Sequence, residues 1–307
     1  MKPNKWKLAL NIIISLAIIS FLVQRLIKSY SQISDYPVSI NYAFLFIAVI
    51  LGIVGFTMFG ISWIGAVSIC GNKLELKQGM LSWFRSQMIK YLPGTIWMFI
   101  SRVYDCQKCG IEKKTAILSI YMECILLGLS ALILSIALNY RIIGQYVPVA
   151  VLIPIFMASL LLIHPAVLNK ILSIFKKKGI QIKTYSYRRL LGLLIFYIIS
   201  WAPLGMGFAL LVNSITPIPF SDYPYVAGAF ILSWVLGFIS IFSPGGIGVR
   251  EGAIAIILAQ ILPEPIAIIA AFGSRIWWII IEVSSFIFWY LFNKLSVSKP
   301  EPETRQV

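Results

Sequence analysis

Charge is what this sequence has least of. Only 12% of its 307 residues are Asp, Glu, Lys or Arg, and 59% are hydrophobic, whereas a soluble domain carries about 25% charged residues. That shortage excludes a water-soluble globular chain. Acidic residues are the scarcer sign, 11 against 26 Lys and Arg, for a net charge of +15. In a soluble protein such an excess would point to nucleic acid. Here basic residues gathered on cytoplasmic loops beside anionic headgroups account for it, and no nucleic-acid partner is expected. Histidine occurs once, as His164, and cysteine four times. A zinc site takes about four ligands. Cys106 and Cys109 form a Cys-x-x-Cys pair with His164 far off in sequence, so neither a metal site nor a cofactor is expected. A thioredoxin-like context for the pair is missing, and reduced thiols near the cytoplasmic surface are the expectation. No long hydrophilic stretch and no nucleotide motif is present. Function must therefore reside within the membrane or at its surface.

What the chain has in abundance is long apolar runs. With a mean hydropathy of +0.89 it reads as an all-α polytopic transmembrane bundle of about eight spans. They fall at 8–23, 41–70, 115–138, 146–164, 190–212, 223–242, 248–262 and 266–292. The first follows Lys2, Lys5 and Lys7 without a convincing cleavage site and reads as an uncleaved span. Gly52, Gly55, Gly60 and Gly65 in the second predict close helix packing, and Pro203 with Gly205 and Gly207 in the fifth predicts a kink. Residues 74–91 alternate apolar and basic groups at helical spacing, which predicts an amphipathic helix lying on the cytoplasmic surface. The segment after it, Tyr91-Leu92-Pro93-Gly94 to Ile100, is too short to span and reads as re-entrant. Residues 1–293 form one membrane domain, and 294–307 a polar tail without expected structure. With the N-terminus inside, 21 of the 26 Lys and Arg fall on the cytoplasmic side. Arg25, Lys28 and Arg141 fall outside, and Arg250 and Arg275 within segments. That asymmetry places both termini in the cytoplasm of a cell (inner) membrane protein.

The sharpest break is Phe242 to Gly252. Pro244 cannot continue a helix, and Gly245, Gly246 and Gly248 leave the backbone bare. Arg250 and Glu251 open the next helix, where exposed amides and the helix dipole favour an anion. Broken helices are where transporters build ligand sites. The segment that follows is short, about 22 Å against a 30 Å core, so Arg250 is expected to be recessed in the protein. A charge there costs about 2.5–3.5 kcal/mol on insertion scales and needs a partner. Glu123, Glu251, Glu282 and a lipid phosphate are the candidates. Arg275 and Glu282 are two turns apart on one helix face and too distant to pair with each other. A second Pro-Gly break, Pro93-Gly94, precedes Arg102 as Pro244-Gly245 precedes Arg250, the trace of an internal repeat.

Ser243-Pro244-Gly245-Gly246-Ile247-Gly248-Val249-Arg250-Glu251-Gly252 resembles the signature of the lysylphosphatidylglycerol synthase transmembrane-region family, the flippase-like domain proteins. Leu92-Pro93-Gly94 with Arg102 and Gly110-Ile111 is similar to that family's first motif. The resemblance covers essentially the whole chain. It implies a membrane domain that binds or moves a lipid, and here the membrane part alone. Arg250, Arg275 and Arg102 are then candidate phosphate ligands. Glu251, Glu123 and Glu282 are counter-charges or proton carriers. Three functions stay open. One is translocation of an anionic phospholipid or polyprenyl-linked precursor. The second is a membrane-embedded transferase on lipid-linked sugar or aminoacyl groups, with Glu251, Glu123 or Asp105 as base. The third is a scaffold for a separate lipid-modifying enzyme.

Overall fold

The structure is a computed structural model that describes residues 20, 24, 27, 40–90, 96–140, 186–240, 246 and 248–297. The expected span at 146–164 and all but residue 20 of that at 8–23 lie outside the described residues, as do Pro93, Gly94, Pro244 and Gly245. Eight α-helices and one 3-10 turn make up the described part. They are α1 (Tyr42–Ile69), α2 (Leu76–Ile89), α3 (Ile96–Lys108), α4 (Lys113–Leu138), α5 (Tyr187–Ile215), α6 (Tyr223–Ile239), α7 (Val249–Leu258) and α8 (Glu264–Val297). Five helices are long and apolar enough to cross a membrane: α1, α4, α5, α8 and the stretch Phe220–Ile239 that contains α6. This is a membrane-embedded helical bundle.

Its two ends differ in charge. At one end lie the C-terminus of α1, the N-terminus of α2 and the C-terminus of α8, since Gly79 packs on Ile64 and Lys77 lies 5.7 Å from the Phe292 ring. The C-terminus of α3 joins them, with Cys109 Sγ 3.2 Å from Gln78 Oε1. This end holds Lys73, Lys77, Lys108, Lys113, Lys114, Arg188, Arg189 and Lys294. At the other end Asn41 N donates to Ser214 O at 2.9 Å, and Asn41 Oδ1 caps α1 by accepting from Ala43 N and Phe44 N at 3.1 and 3.2 Å. Gly228 packs on Asn139 there. Among the described residues that second end carries Asp222 and Glu264 and no Lys or Arg.

The glycines expected to bring helices together do so. A Cβ on Gly55 would lie 2.6 Å from Leu204 Cγ and 3.0 Å from Ser200 O, so α1 and α5 touch backbone to backbone. Helix α5 continues through Pro203. Trp63, Trp201, Tyr197, Phe208 and Trp277 fill the interior without exposure, in edge-on and stacked pairs such as Phe59–Trp201 at 4.9 Å and Phe208–Phe230 at 5.0 Å.

Two segments correct the expected layout. Helix α2 forms where an amphipathic helix was expected, but it does not lie on a surface. Met80, Trp83 and Phe84 are buried; Gly60 packs on Met80 and Trp83, and Phe56 meets Trp83 at 4.8 Å and Phe84 at 5.5 Å. Helix α2 therefore descends alongside α1 from its end to its middle. From Lys77 to Lys90 it advances about 20 Å, passing Phe292, then Trp289, then Glu282 on α8. Helix α3 returns to the basic end, so α2 and α3 are the limbs of a re-entrant hairpin. The physical reason is its apolar face, which is buried against α1 and α8 rather than against headgroups.

The second correction concerns residues 223–262, expected to cross twice. Gly228 opens α6 opposite Asn139, and Phe238 near its end lies opposite Gly128. Gly128 is still about 22 Å from the start of α4, so α6 stops near the middle of the bundle. Helix α7, with 10 residues, runs back beside it: Arg250 packs on Gly237, and Tyr225 Oη donates to Ile257 O at 2.6 Å. Helices α6 and α7 form a second hairpin that enters from the opposite end. Finally, α8 continues to Val297, past the expected start of the polar tail.

Candidate anion site at the meeting of two hairpins

The expected break in the chain is present. Helix α6 ends at Ile239 and α7 begins at Val249. Gly246 and Gly248 have φ of +70° and +87°, a region that side-chain-bearing residues avoid. Glu251 Oε2 accepts from Gly248 N at 2.6 Å, so the chain's own carboxylate already caps this helix start. From the sequence alone that amide reads as free for a ligand.

The tips of both hairpins converge on one face of α8, formed by Arg275, Trp278 and Glu282. Lys90, at the end of α2, forms an ion pair with Glu282, and its Nζ is 5.9 Å from the Trp278 ring. Arg250, at the start of α7, stacks with its Cζ 5.2 Å from the same ring and 5.9 Å from that of Phe230. The two cations come from opposite ends of the bundle and share one indole, within cation–π reach of it. Arg275 Nη1 lies 3.8 Å from Glu251 Oε1. Both Arg250 and Arg275 are close enough to Lys90 to repel its charge. Three cations and two carboxylates thus meet about halfway along α8. Glu282 is fully buried and Glu251 is 4% exposed.

Of the residues named from sequence, Arg250, Glu251, Arg275 and Glu282 come together here. Lys90 was missed. It counts with the cytoplasmic loop charges, and its sequence distance of 192 from Glu282 leaves no local pattern to find it by. The one available signal was its place just before Pro93-Gly94, as Arg250 stands just after Pro244-Gly245.

Arg102 and Glu123 are held in a different cluster. They pair through Arg102 Nη1 and Glu123 Oε2. Arg102 Nε and Nη2 donate to Ser86 Oγ at 3.2 and 3.0 Å, and its Cζ stacks 4.9 Å from the Trp63 ring. Trp83 Nε1 donates to the other Glu123 oxygen at 2.7 Å. Arg102 is 1% exposed. Its guanidinium is engaged on every edge by α1, α2 and α4, which suits a lock seating the first hairpin rather than a ligand contact. Asp105, the other candidate base, pairs with Arg85 at the edge of the same hairpin.

The four cysteines are free thiols. Burial pushes the Cys106 thiol up to about 11, and burial raises Cys109 as well. Neither carries the lowered pKa of a reactive or metal-binding thiolate. Among the described residues no group of His, Cys, Asp and Glu could hold a metal ion. In comparisons with known proteins, no family model matches this chain and no curated protein is matched by it.

Proposed function

We propose that this chain binds an anionic lipid or lipid-linked precursor and translocates it across the cell membrane. The observation that carries the reading is the convergence of Lys90 and Arg250 on Trp278. Cationic side chains held at mid-depth are costly without a counter-charge, and guanidinium and ammonium groups are the usual ligands of phosphate. Hairpins inserted from opposite ends supply the other requirement of a transporter. A site at their meeting point can open to either side by withdrawing one hairpin, as in the alternating access of broken-helix transporters. The basic end would face the cytoplasm by the positive-inside rule. The resemblance of residues 243–252 to the flippase-like signature supports the same reading, with a phospholipid or polyprenyl-linked lipid as cargo and a separate lipid-modifying enzyme as partner.

The test is transport in vesicles. Purified protein is reconstituted with phosphatidic acid carrying a fluorophore on its acyl chain, and a membrane-impermeant quencher reports how much lipid has changed leaflet. Wild type should speed that exchange. Arg250→Ala and Lys90→Met should lower it at least tenfold, while Arg85→Ala, which removes a 45% exposed side chain paired with Asp105, should leave it unchanged. Exchange no faster than in protein-free vesicles would overturn the proposal.

A further inference from the structure

In chain order the described helices run through one pattern twice: a long span, a two-limbed hairpin and a second long span. Residues 41–139 give α1, the hairpin α2–α3 and α4, and residues 186–297 give α5, the hairpin α6–α7 and α8. The first hairpin enters from the basic end and the second from the opposite end, so the second set is upside down. The packing repeats as well. Helix α2 lies on α8 of the other set and α6 lies on α4, while α1 touches α8 as α5 touches α4. The registers also match. Helices α1 and α5 meet where a Cβ on Gly55 would lie 3.0 Å from Ser200 O. Those two residues each stand 13 places after the first residue of their helix, Tyr42 or Tyr187. The next residues, Phe56 and Trp201, each meet a tryptophan edge-on, Trp83 at 4.8 Å and 61° and Trp234 at 5.2 Å and 70°. Trp83 and Trp234 each stand 10 places before the proline of a Pro-Gly dipeptide, Pro93 or Pro244.

We propose that residues 41–139 and 186–297 are two copies of one unit, related by a twofold axis in the membrane plane, and that the site over Trp278 changes sides when the copies exchange conformations. The repeat stands on the packing alone, and the exchange rests on the transport function proposed above. Two antiparallel helices that cross at the same position in each have a twofold axis through the crossing. Helices α1 and α5 do this, and the matching aromatic pairs extend the relation to both hairpins. The arginines after the two Pro-Gly dipeptides do not follow it: Arg102 is nine places after Pro93 and Arg250 six after Pro244. Copies that make the same contacts can each take the shape the other holds. A state with the first hairpin loosened from α8 therefore has a counterpart with the second loosened from α4, and rocking between the two carries a central site from one side to the other. Both tips are fastened at that site. Lys90 of the first hairpin pairs with Glu282 on α8, and Glu251 of the second lies 3.8 Å from Arg275 on α8. The polarity is opposite, the first hairpin supplying a cation and the second a carboxylate. An arriving phosphate competes with Glu282 for Lys90 and with Glu251 for Arg275, so it loosens both fastenings and lets either hairpin give way.

The experiment joins one hairpin at a time to the span it lies on, in the full chain, and asks from which side the site can be reached. Phe292 on α8 faces Lys77 on α2, and Phe238 on α6 faces Gly128 on α4. Replacing either phenylalanine by benzoylphenylalanine lets light join its helix to the facing one without using a thiol. Trp278→Cys reports at the site, and Lys90→Cys is a second reporter should the first not assemble. A membrane-impermeant maleimide is added to sealed vesicles of known orientation, and mass spectrometry follows the reporter peptide against an unilluminated sample. Joining α8 to α2 should slow labelling from the basic end at least twofold and leave labelling from the opposite end as fast or faster. Joining α6 to α4 should do the reverse. Labelling that reaches the site from one end only, or a join that slows both ends or neither, would end the inference. Reciprocal labelling in a protein that moves no phosphatidic acid between leaflets would leave the inference standing and make the transported lipid the wrong reading.

Discussion

Breaking the Arg102–Glu123 pair should unseat the first hairpin, and the cost can be bounded from its surroundings. Arg102 Nη1 meets Glu123 Oε2, both side chains are below 8% exposed, and Ser86, Trp63 and Trp83 close the cluster. Arg102→Met leaves the Glu123 carboxylate buried with Trp83 Nε1 as its remaining donor in the cluster. Removing one partner of a buried pair costs about 3–5 kcal/mol. Glu123→Gln keeps an oxygen for Trp83 Nε1 but leaves a buried guanidinium without its counter-charge, for a similar loss. The double variant removes both charges and keeps the Trp83 acceptor, so its cost should fall to about 1–2 kcal/mol, the value of the lost hydrogen bonds. The assay is a double-mutant cycle on unfolding in detergent, followed by tryptophan fluorescence, to which Trp63 and Trp83 report directly. The double variant should be more stable than either single one. A double variant as unstable as the two singles added together would refute the reasoning, because independent sites are what additivity means.

Three further outcomes follow from local geometry. Gly55→Ala should lower stability by about 1–3 kcal/mol through overpacking, since its Cβ would lie 2.6 Å from Leu204 Cγ, whereas Gly192→Ala meets nothing within 4 Å and should be neutral; thermal midpoints of the two variants check this. Cys109, which is exposed, should react with a maleimide well before the buried Cys106. With its pKa at about 11, Cys106 is about one part in a thousand thiolate at pH 8. Its labelling should therefore rise about tenfold per pH unit up to that value, as mass spectrometry of the two peptides can follow. Glu251→Ala removes the acceptor of Gly248 N and should cost about 1 kcal/mol at the start of α7. Glu251→Gln retains an oxygen there, so hydrogen exchange at 248–252 should quicken in the alanine variant only.

The parts of this molecule that obey short-range rules were readable in advance. The break before Arg250 was visible because a proline followed by two glycines strongly disfavours a helix. The long crossings α1, α4, α5 and α8 were visible because each is a single apolar run. The second hairpin was hidden for two physical reasons. Helix α6 is apolar enough to cross, with 17 residues, and its composition does not record how deep its partner helices let it reach. Charge counting could not help either. Replacing two crossings by one hairpin from the same side leaves every terminus where it was, so the basic asymmetry is identical. Lys90 and Arg102 were counted as loop charges for the same reason. Both lie in the first hairpin, one at its tip and one in its buried seam. The pairings themselves join residues far apart in the chain, as Trp83 to Glu123 or Lys90 to Glu282, and no sequence period encodes them.

The proposed phosphate site is the meeting of Arg250 and Lys90 over Trp278. Native mass spectrometry of the full chain released from detergent with phosphatidic acid and phosphatidylcholine measures this most directly. Wild type should retain phosphatidic acid in clear preference to phosphatidylcholine, and Arg250→Ala and Lys90→Met should each lose that preference while Arg85→Ala keeps it. Equal retention of the two lipids by wild type, or an undiminished preference in Arg250→Ala, would contradict it.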